Sequence, residues 1–347
     1  MQKSILKLNS DIKLRVLAAR RRANFGGKDI WKELPPTLTL LHFSDIHGGE
    51  RNLKRIVKFI YDFKDLLDDS IFTGDYVRSS YQSGMKFYKC AKKAPILPCI
   101  GNHDAIDRVL PKTRAEWKPF DWSKRIPMEE CDRTYITPAL KNCSGEIDHK
   151  TGTTYYSKKY NEQGILLITL DSMLQDENDL MQIEFLKEKL NYAKAENLGV
   201  IIAVHDAPEG CIKYDSNFCS YLDIQHPCGE GCGPRYMDPV QDFINGGGEF
   251  ICYISGHTHN DFICYHPDYP TQTFFTVGCA FVERGLRWGD CERTYGLKNE
   301  DLFNIITFDR YTKLIKICHV GADRDSLMRS RNNLCFDYKE RKIIYED

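Results

Sequence analysis

The 347-residue chain has no apolar run near the roughly 18–20 residues that cross a bilayer, so no membrane partner is expected. It has almost no net charge: 48 Lys+Arg stand against 49 Asp+Glu, a formal −1. Nucleic-acid binding through bulk basicity is therefore not favoured. Internal repeats and low-complexity tracts are missing, which argues against a solenoid and against disorder. The first 25 residues lack an apolar stretch followed by a small-residue cleavage site. No signal peptide is read there, and the expected location is cytoplasmic. In that compartment thiols stay reduced, so most of the 14 cysteines are expected to be free core or loop residues.

What is present is an ordinary globular balance, 42% hydrophobic and 28% charged, long enough to bury a large core. Charge is uneven at one point only. Residues 1–34 hold nine Lys or Arg and three Asp or Glu, a net +6. Ser10 is placed to cap a short helix with Ile12, Val16 and Ala19 on one face, packed on the body; an Arg-rich transit peptide is the competing reading. The basic arm also keeps a nucleic-acid substrate open.

Short apolar runs alternate with helical spacing along the front half. Leu38–Phe43, Ile71-Phe72 and Ile96–Ile100 read as strands. Helical patterns lie between them, at Leu53–Leu67 and around Met85, Tyr88 and Ala91. This strand–helix–strand order implies a largely parallel sheet. Strands Ile165–Leu170, Val200–Val204 and Phe250–Ile254 follow, with Asp179 and Gln182 resembling a capping box for an intervening helix. Four later runs, Phe262–Tyr265, Thr273–Val277, Phe303–Phe308 and Leu314–Val320, look like a meander forming a second sheet. The expected organisation is a basic N-terminal arm (1–36), one domain (37–322) and a C-terminal tail (323–347). Irregular insertions, possible lids, lie near 105–160 and 208–237.

The chemistry is written at the strand ends. Strand one delivers Asp45 and His47, strand two Asp75, and strand three Asn102, His103 and Asp104. Later strands deliver His205, then His257 and His259. Each alone has a bland reading: Gly-Asp is commonly a turn, and a lone His is commonly a satisfied core residue. Five strand ends making the same choice point to a metal site, because ligands bind outside the carboxyl ends of such strands. Carboxylate, imidazole and amide oxygen suit divalent Mn, Fe, Zn, Co or Ni, and no cysteine falls among these residues.

The ordered blocks Asp45-x-His47, Gly74-Asp75, Gly101-Asn102-His103-Asp104, His205 and Gly256-His257-Thr258-His259 resemble the calcineurin-like metallophosphoesterase superfamily. The resemblance implies an α/β fold, a four-layer αββα sandwich of two mixed β-sheets flanked by helices. It also implies a dinuclear centre of two divalent metal ions. Asp45, His47 and His259 would hold one ion, Asn102, His205 and His257 the other, and Asp75 would bridge them. A bridging hydroxide would attack phosphorus. His103 would protonate the leaving oxygen, and Asp104 would orient His103 and raise its pKa. Asn102 and His103 would also contact substrate.

Departures narrow the reading. The position three residues after Asp75 is Arg78, where relatives often carry Asp; it is a candidate phosphate contact or a surface ion-pair residue. The Asp-Arg-Gly of the protein Ser/Thr phosphatases is absent, and their Glu after Asn-His is here Asp104. That favours a phosphodiesterase acting on a small phosphoester. The alternatives are a phosphomonoesterase or nucleotidase, and a non-catalytic scaffold of the same fold. His226, Cys228 and Cys232, with Cys219, could hold zinc or form a plain polar loop. Asp171, at a strand end, is read as support behind the ligands or a structural hydrogen bonder, and not as a ligand. The substrate, the native metals and the oligomeric state are not written in the sequence.

Overall fold

The computed structural model describes residues 12–20, 35–77, 94–106, 124–174, 176–208, 210–214, 235–259, 261–280, 300–321 and 333–346. Its strands are β1 (Leu38–Phe43), β2 (Asp69–Phe72), β3 (Ile96–Pro98), β4 (Glu146–Asp148), β5 (Tyr156–Tyr160), β6 (Ile165–Thr169), β7 (Gly199–Ala203) and β8 (Ile212–Lys213). They continue with β9 (Glu249–Ser255), β10 (Phe262–His266), β11 (Tyr269–Thr276), β12 (Leu302–Asp309), β13 (Leu314–Gly321), β14 (Asn333–Asp337) and β15 (Lys342–Glu346).

Two mixed sheets result. One has seven strands in the order β15-β14-β13-β12-β1-β2-β3, the other eight in the order β4-β5-β6-β7-β9-β11-β10-β8. β1, β2 and β3 run parallel. So do β6, β7, β9 and β11.

Alternation within the strands shows why the sheets stack. Ile165 and Leu167 of β6, and Ile201 and Ala203 of β7, face the core between the sheets. Their neighbours Leu166, Ile168, Val200 and Ile202 face outward, under Leu186, Leu190, Val240 and Phe243. Those four come from the helices Asp176–Ala195 and Met237–Asn245. A strand buried on both faces reads as a continuous apolar run, as the sequence shows. The helix Glu50–Asp62 covers the seven-stranded sheet through Leu53, Ile56 and Ile60, with Phe59 edge-on to Phe303 of β12. The fold is thus the α/β sandwich of two sheets flanked by helices.

Residues 12–20 form a helix on the same sheet. Ile12 and Val16 are buried in the core. Arg15 donates to Asn333 Oδ1 and to the His319 carbonyl, and Arg20 to the Leu66 carbonyl.

The structure departs from the sequence reading in four places. The four late runs do not make a sheet of their own. β10 and β11 join β9, whereas β12 pairs antiparallel with β1; strand periodicity does not name a partner. Within the expected insertion 105–160, β4 and β5 are edge strands of the eight-stranded sheet. The segment Tyr-Ser-Lys-Lys-Tyr looks polar, but Lys158 is buried against Asp69 of β2, which also accepts from Tyr160. The expected tail contains β14 and β15, with Leu334, Cys335 and Phe336 buried. Finally, Asp179 and Gln182 form no capping box, because the helix begins at Asp176. Gln182 instead exchanges two bonds with the backbone of Asp171, and Asp179 pairs with Arg235. The expected helix around Met85–Ala91 and most of the 208–237 segment lie outside the described residues, as does Ser10.

Candidate metal centre

Local backbone conformation builds the site before any side chain does. Five site residues other than glycine have left-handed φ: Asp45 (55°), His47 (45°), Asp75 (65°), His257 (65°) and His259 (58°). Such φ values are uncommon for side chains of this kind and cost about 1–3 kcal/mol each. Backbone bonds across the strand ends hold them. Asp45 N donates to Gly74 O at 3.0 Å, His47 N to Asp75 O at 3.0 Å, and Gly48 N to Tyr76 O at 2.8 Å. The loop after β1 is therefore zipped onto the loop after β2. Gly74 is needed for that closeness. Its φ is 101°, and a Cβ there would sit 2.6 Å from His205 Nδ1 and 2.7 Å from Gly101 N.

These turns bring together Asp45, His47, Asp75, Asn102, His103, His205, His257 and His259. Nε2 of His259 is 3.1 Å from Asp45 Oδ1 and 3.1 Å from His47 Nε2. His47 Nε2 is also 3.7 Å from Asp75 Oδ2. On the other side of Asp75, Oδ1 is 3.5 Å from His205 Nε2. That nitrogen lies 3.0 Å from Asn102 Oδ1 and 3.2 Å from His257 Nδ1. Asp75 thus belongs to two donor groups, one with His47 and His103, the other with His205 and His257. Within each group the donor atoms lie within 4.8 Å of one another. His257 N donates to Asp45 Oδ2 at 2.9 Å, which ties the two sheets' loops together.

The donor set fits divalent metal. His205 Nδ1 donates to the Thr73 carbonyl at 2.5 Å, which turns the Nε2 lone pair toward Asp75 and Asn102. That lone pair then faces the lone pairs of Asn102 Oδ1, an arrangement that needs a proton or a cation between them. Asp45 Oδ1 is buried and accepts no hydrogen bond among the described residues. Without a metal, protons fill this role. Burial opposes charge on His205, but Asp75 and Asp45 prevail and raise it to about 10. Burial likewise opposes charge on Asp45, and the facing His259 and His47 outweigh it, holding the carboxyl well below its ordinary value. Asp75 is lowered in the same way, by His205 and His103 against burial. Burial and then His205 push His257 down to about 4.

His103 closes the cluster, with Nε2 3.9 Å from Asp75 Oδ2 and its ring edge-on to His47. Its side chain is 14% exposed, so it sits at the mouth of the site. Asp104 does not take the role expected of it. Its Oδ2 accepts from Asp75 N and Gly101 N, and its Oδ1 from Tyr76 N and Val77 N, at 2.8–3.2 Å. Four donors use the lone pairs a carboxylate has, leaving none for the His103 ring. Burial and then the Asp75 charge raise this carboxyl to about 8, whereas the backbone donors favour its ionised form. Asp104 therefore fixes the loop that carries Asp75.

Cys279 is the site residue that the sequence reading missed. Its donor atom lies within 4.8 Å of those of His47 and His259. It sits beyond β11, outside every ligand block, and only the fold brings it near. Asp171 is structural, accepting from Thr154, Arg125 and Met173 N. Arg78 lies outside the described residues, as do His226, Cys228, Cys232 and Cys219.

A family model for calcineurin-like phosphoesterases matches residues 38–261. Among curated protein sequences, none matches. Among solved structures, the chain is similar to a dimetal phosphatase from Danio rerio, with TM-score 0.53 and 10% identity, covering 88% of this chain and 99% of that one. It is also similar to an archaeal phosphodiesterase, with TM-score 0.33 and 11% identity, covering 82% of this chain and 100% of that one. At these identities the first likeness bears on the fold alone. No helix of the described residues is long and apolar enough to cross a membrane.

Proposed function

The chain belongs to the calcineurin-like phosphoesterase family, and from that premise we propose that it hydrolyses small phosphoric diesters on two divalent metal ions. The observation that carries the reading is Asp75, whose two carboxylate oxygens face two separate groups of donors. Asp45, His47 and His259 would hold one ion and Asn102, His205 and His257 the other, with Asp75 placed to serve both. When bound, such a pair of ions polarises a phosphoryl group and makes water a competent nucleophile at neutral pH.

The rest is done by the protein. The left-handed strand ends keep the donors fixed before substrate arrives, so little reorganisation is left for the reaction. Asn102 and His103 face the substrate phosphate. His103, at the mouth and beside Asp75, holds the proton that the leaving oxygen needs. Asp104 keeps the Asp75 loop in place. The preference for a diester rests on Asp104 standing where protein phosphatases have Glu, and on the missing Asp-Arg-Gly.

The test is a chelator-stripped protein assayed on a matched aryl phosphodiester and monoester. Hydrolysis should vanish, return with Mn²⁺, and be faster on the diester. A faster monoester rate would move the reading to a phosphomonoesterase or nucleotidase. Metal bound at two ions per chain with neither ester turned over would leave a scaffold.

A further inference from the structure

We propose that Cys279 is a sulfur ligand of the Asp45–His47–His259 half of the centre, and that it biases this half toward a thiophilic divalent ion such as Zn²⁺. The proposal rests on the reading that the site holds metal. It adds a donor that no ligand block contains.

Three observations carry it. The Cys279 sulfur lies within 4.8 Å of the donor nitrogens of His47 and His259. Zinc holds thiolate sulfur at about 2.3 Å and imidazole nitrogen at about 2.0–2.1 Å, so donors on one tetrahedral ion lie ~3.3–3.6 Å apart. Ligation therefore asks these donors to draw together by at most about 1.5 Å. Second, the position is fixed by backbone and not by a mobile loop. Cys279 makes an isolated parallel bridge with Ser44, and Ala280 N donates to Ser44 O at 2.9 Å. This bridge joins the end of β11 in one sheet to the end of β1 in the other, directly before Asp45. Third, Asp45 Oδ1 is fully buried, accepts no hydrogen bond among the described residues, and lies 3.1 Å from the Nε2 of His259, which shares a donor group with the sulfur.

The Cys279 thiol donates to the Asp45 carbonyl at 3.1 Å. Ligation would replace that bond: the sulfur binds as thiolate, and its proton leaves to solvent. The two halves of the centre then differ. One offers carboxylate, two imidazoles and sulfur; the other offers amide oxygen and two imidazoles; Asp75 serves both. Thiolate selects Zn²⁺ over harder ions such as Mn²⁺, which gives a single chain two ion sites of unequal preference.

The experiment uses the full chain, stripped of metal and titrated with Co²⁺. The wild type should develop a near-ultraviolet sulfur-to-cobalt charge-transfer band, and Cys279→Ser should bind Co²⁺ without it. In competition, Cys279→Ser should lose at least about 10-fold in Zn²⁺ preference over Mn²⁺. Cys279→Ala serves as a second variant if the serine protein does not fold. Iodoacetamide labelling of wild-type Cys279, read by peptide mass, should be blocked by Zn²⁺ and much less by Mn²⁺. Co²⁺ binding without the band, a band that survives in Cys279→Ser, or equal labelling with and without Zn²⁺ would overturn the proposal. Failure to bind Co²⁺ at all would overturn the metal-centre reading itself, and this inference with it.

Discussion

The two ends of the sandwich are built on opposite terms. At the carboxyl ends of β1, β2, β7 and β9, polar side chains face one another with unmet demands. Five residues of the candidate site carry left-handed φ, and Asp45 Oδ1 is buried without a hydrogen bond among the described residues. At the amino ends, the charges are met. Asp69, at the start of β2, takes Lys158 and Tyr160. Glu249, at the start of β9, takes Arg310, Lys313 and Tyr338. Asp309 caps its own turn through Tyr311 N and Thr312 N. One end stores strain and charge for a ligand, and the other closes the two sheets. Function and stability should therefore separate along the strands.

The largest expected effect is at Asp75. Asp75→Asn should lower kcat by about 10³-fold or more, because an amide cannot serve two cations as a carboxylate does. Its metal-free thermal midpoint should change little, since the relief of a buried charge beside Asp104 offsets the loss of the carboxylate that faces His205 and His103. A midpoint that fell by many degrees would break the contrast between the ends. The neighbours His103 and Asp104 sharpen it. His103→Ala should cost about 10²–10⁴-fold in kcat with little change in unfolding free energy. Asp104→Ala strands four buried N–H groups and should cost about 3–5 kcal/mol, with activity lost through the displaced Asp75 loop. Paired rate and denaturation measurements read both.

At the other end, Lys158→Ala should leave the Mn²⁺-loaded rate unchanged while costing about 3–5 kcal/mol, because buried Asp69 would lose the cation that faces it. Lys158→Met with Asp69→Leu should recover most of that cost. Urea unfolding of the two variants decides it. A rate loss in the Lys158 variant matching its stability loss would mean the two ends are mechanically one.

How much of this was legible in the sequence follows the same division. The candidate ligands were readable because metal chemistry admits few residue types, and Asp45, His47, Asp75, Asn102, His205, His257 and His259 follow apolar runs at fixed places. Strand existence was readable from period and apolarity in β1, β6, β7 and β9. Partnership was not, since nothing in Leu302–Asp309 says that it pairs with β1. Lys158 hid β5, because a buried lysine is recognisable only once Asp69 is beside it. Asp104 was found but assigned to its sequence neighbour, whereas its four bonds reach backbone. Cys279 was invisible for the same reason as β12: its role depends on which strand ends the fold brings together.

Glu249 gives the smallest and most diagnostic effect. Burial alone would raise its carboxyl; Lys313, Tyr338 and Arg310 outweigh burial and hold it below the ordinary value. A depressed carboxylate stabilises the fold at pH values above its unfolded pKa, about 4.3, and that contribution is lost as pH falls through the lower folded value. Glu249→Gln should therefore cost about 1 kcal/mol at pH 7, within the range of hydrogen-bonded ion pairs at a partly exposed site. The gap to wild type should close on acidification below pH ~4, and narrow in high salt. Catalytic rate should be untouched, because β9 spans its full length between Glu249 and the turn that carries His257. A gap that stayed constant down to acid pH would mean that Glu249 acts through packing, and that the amino end is held by shape and not by charge.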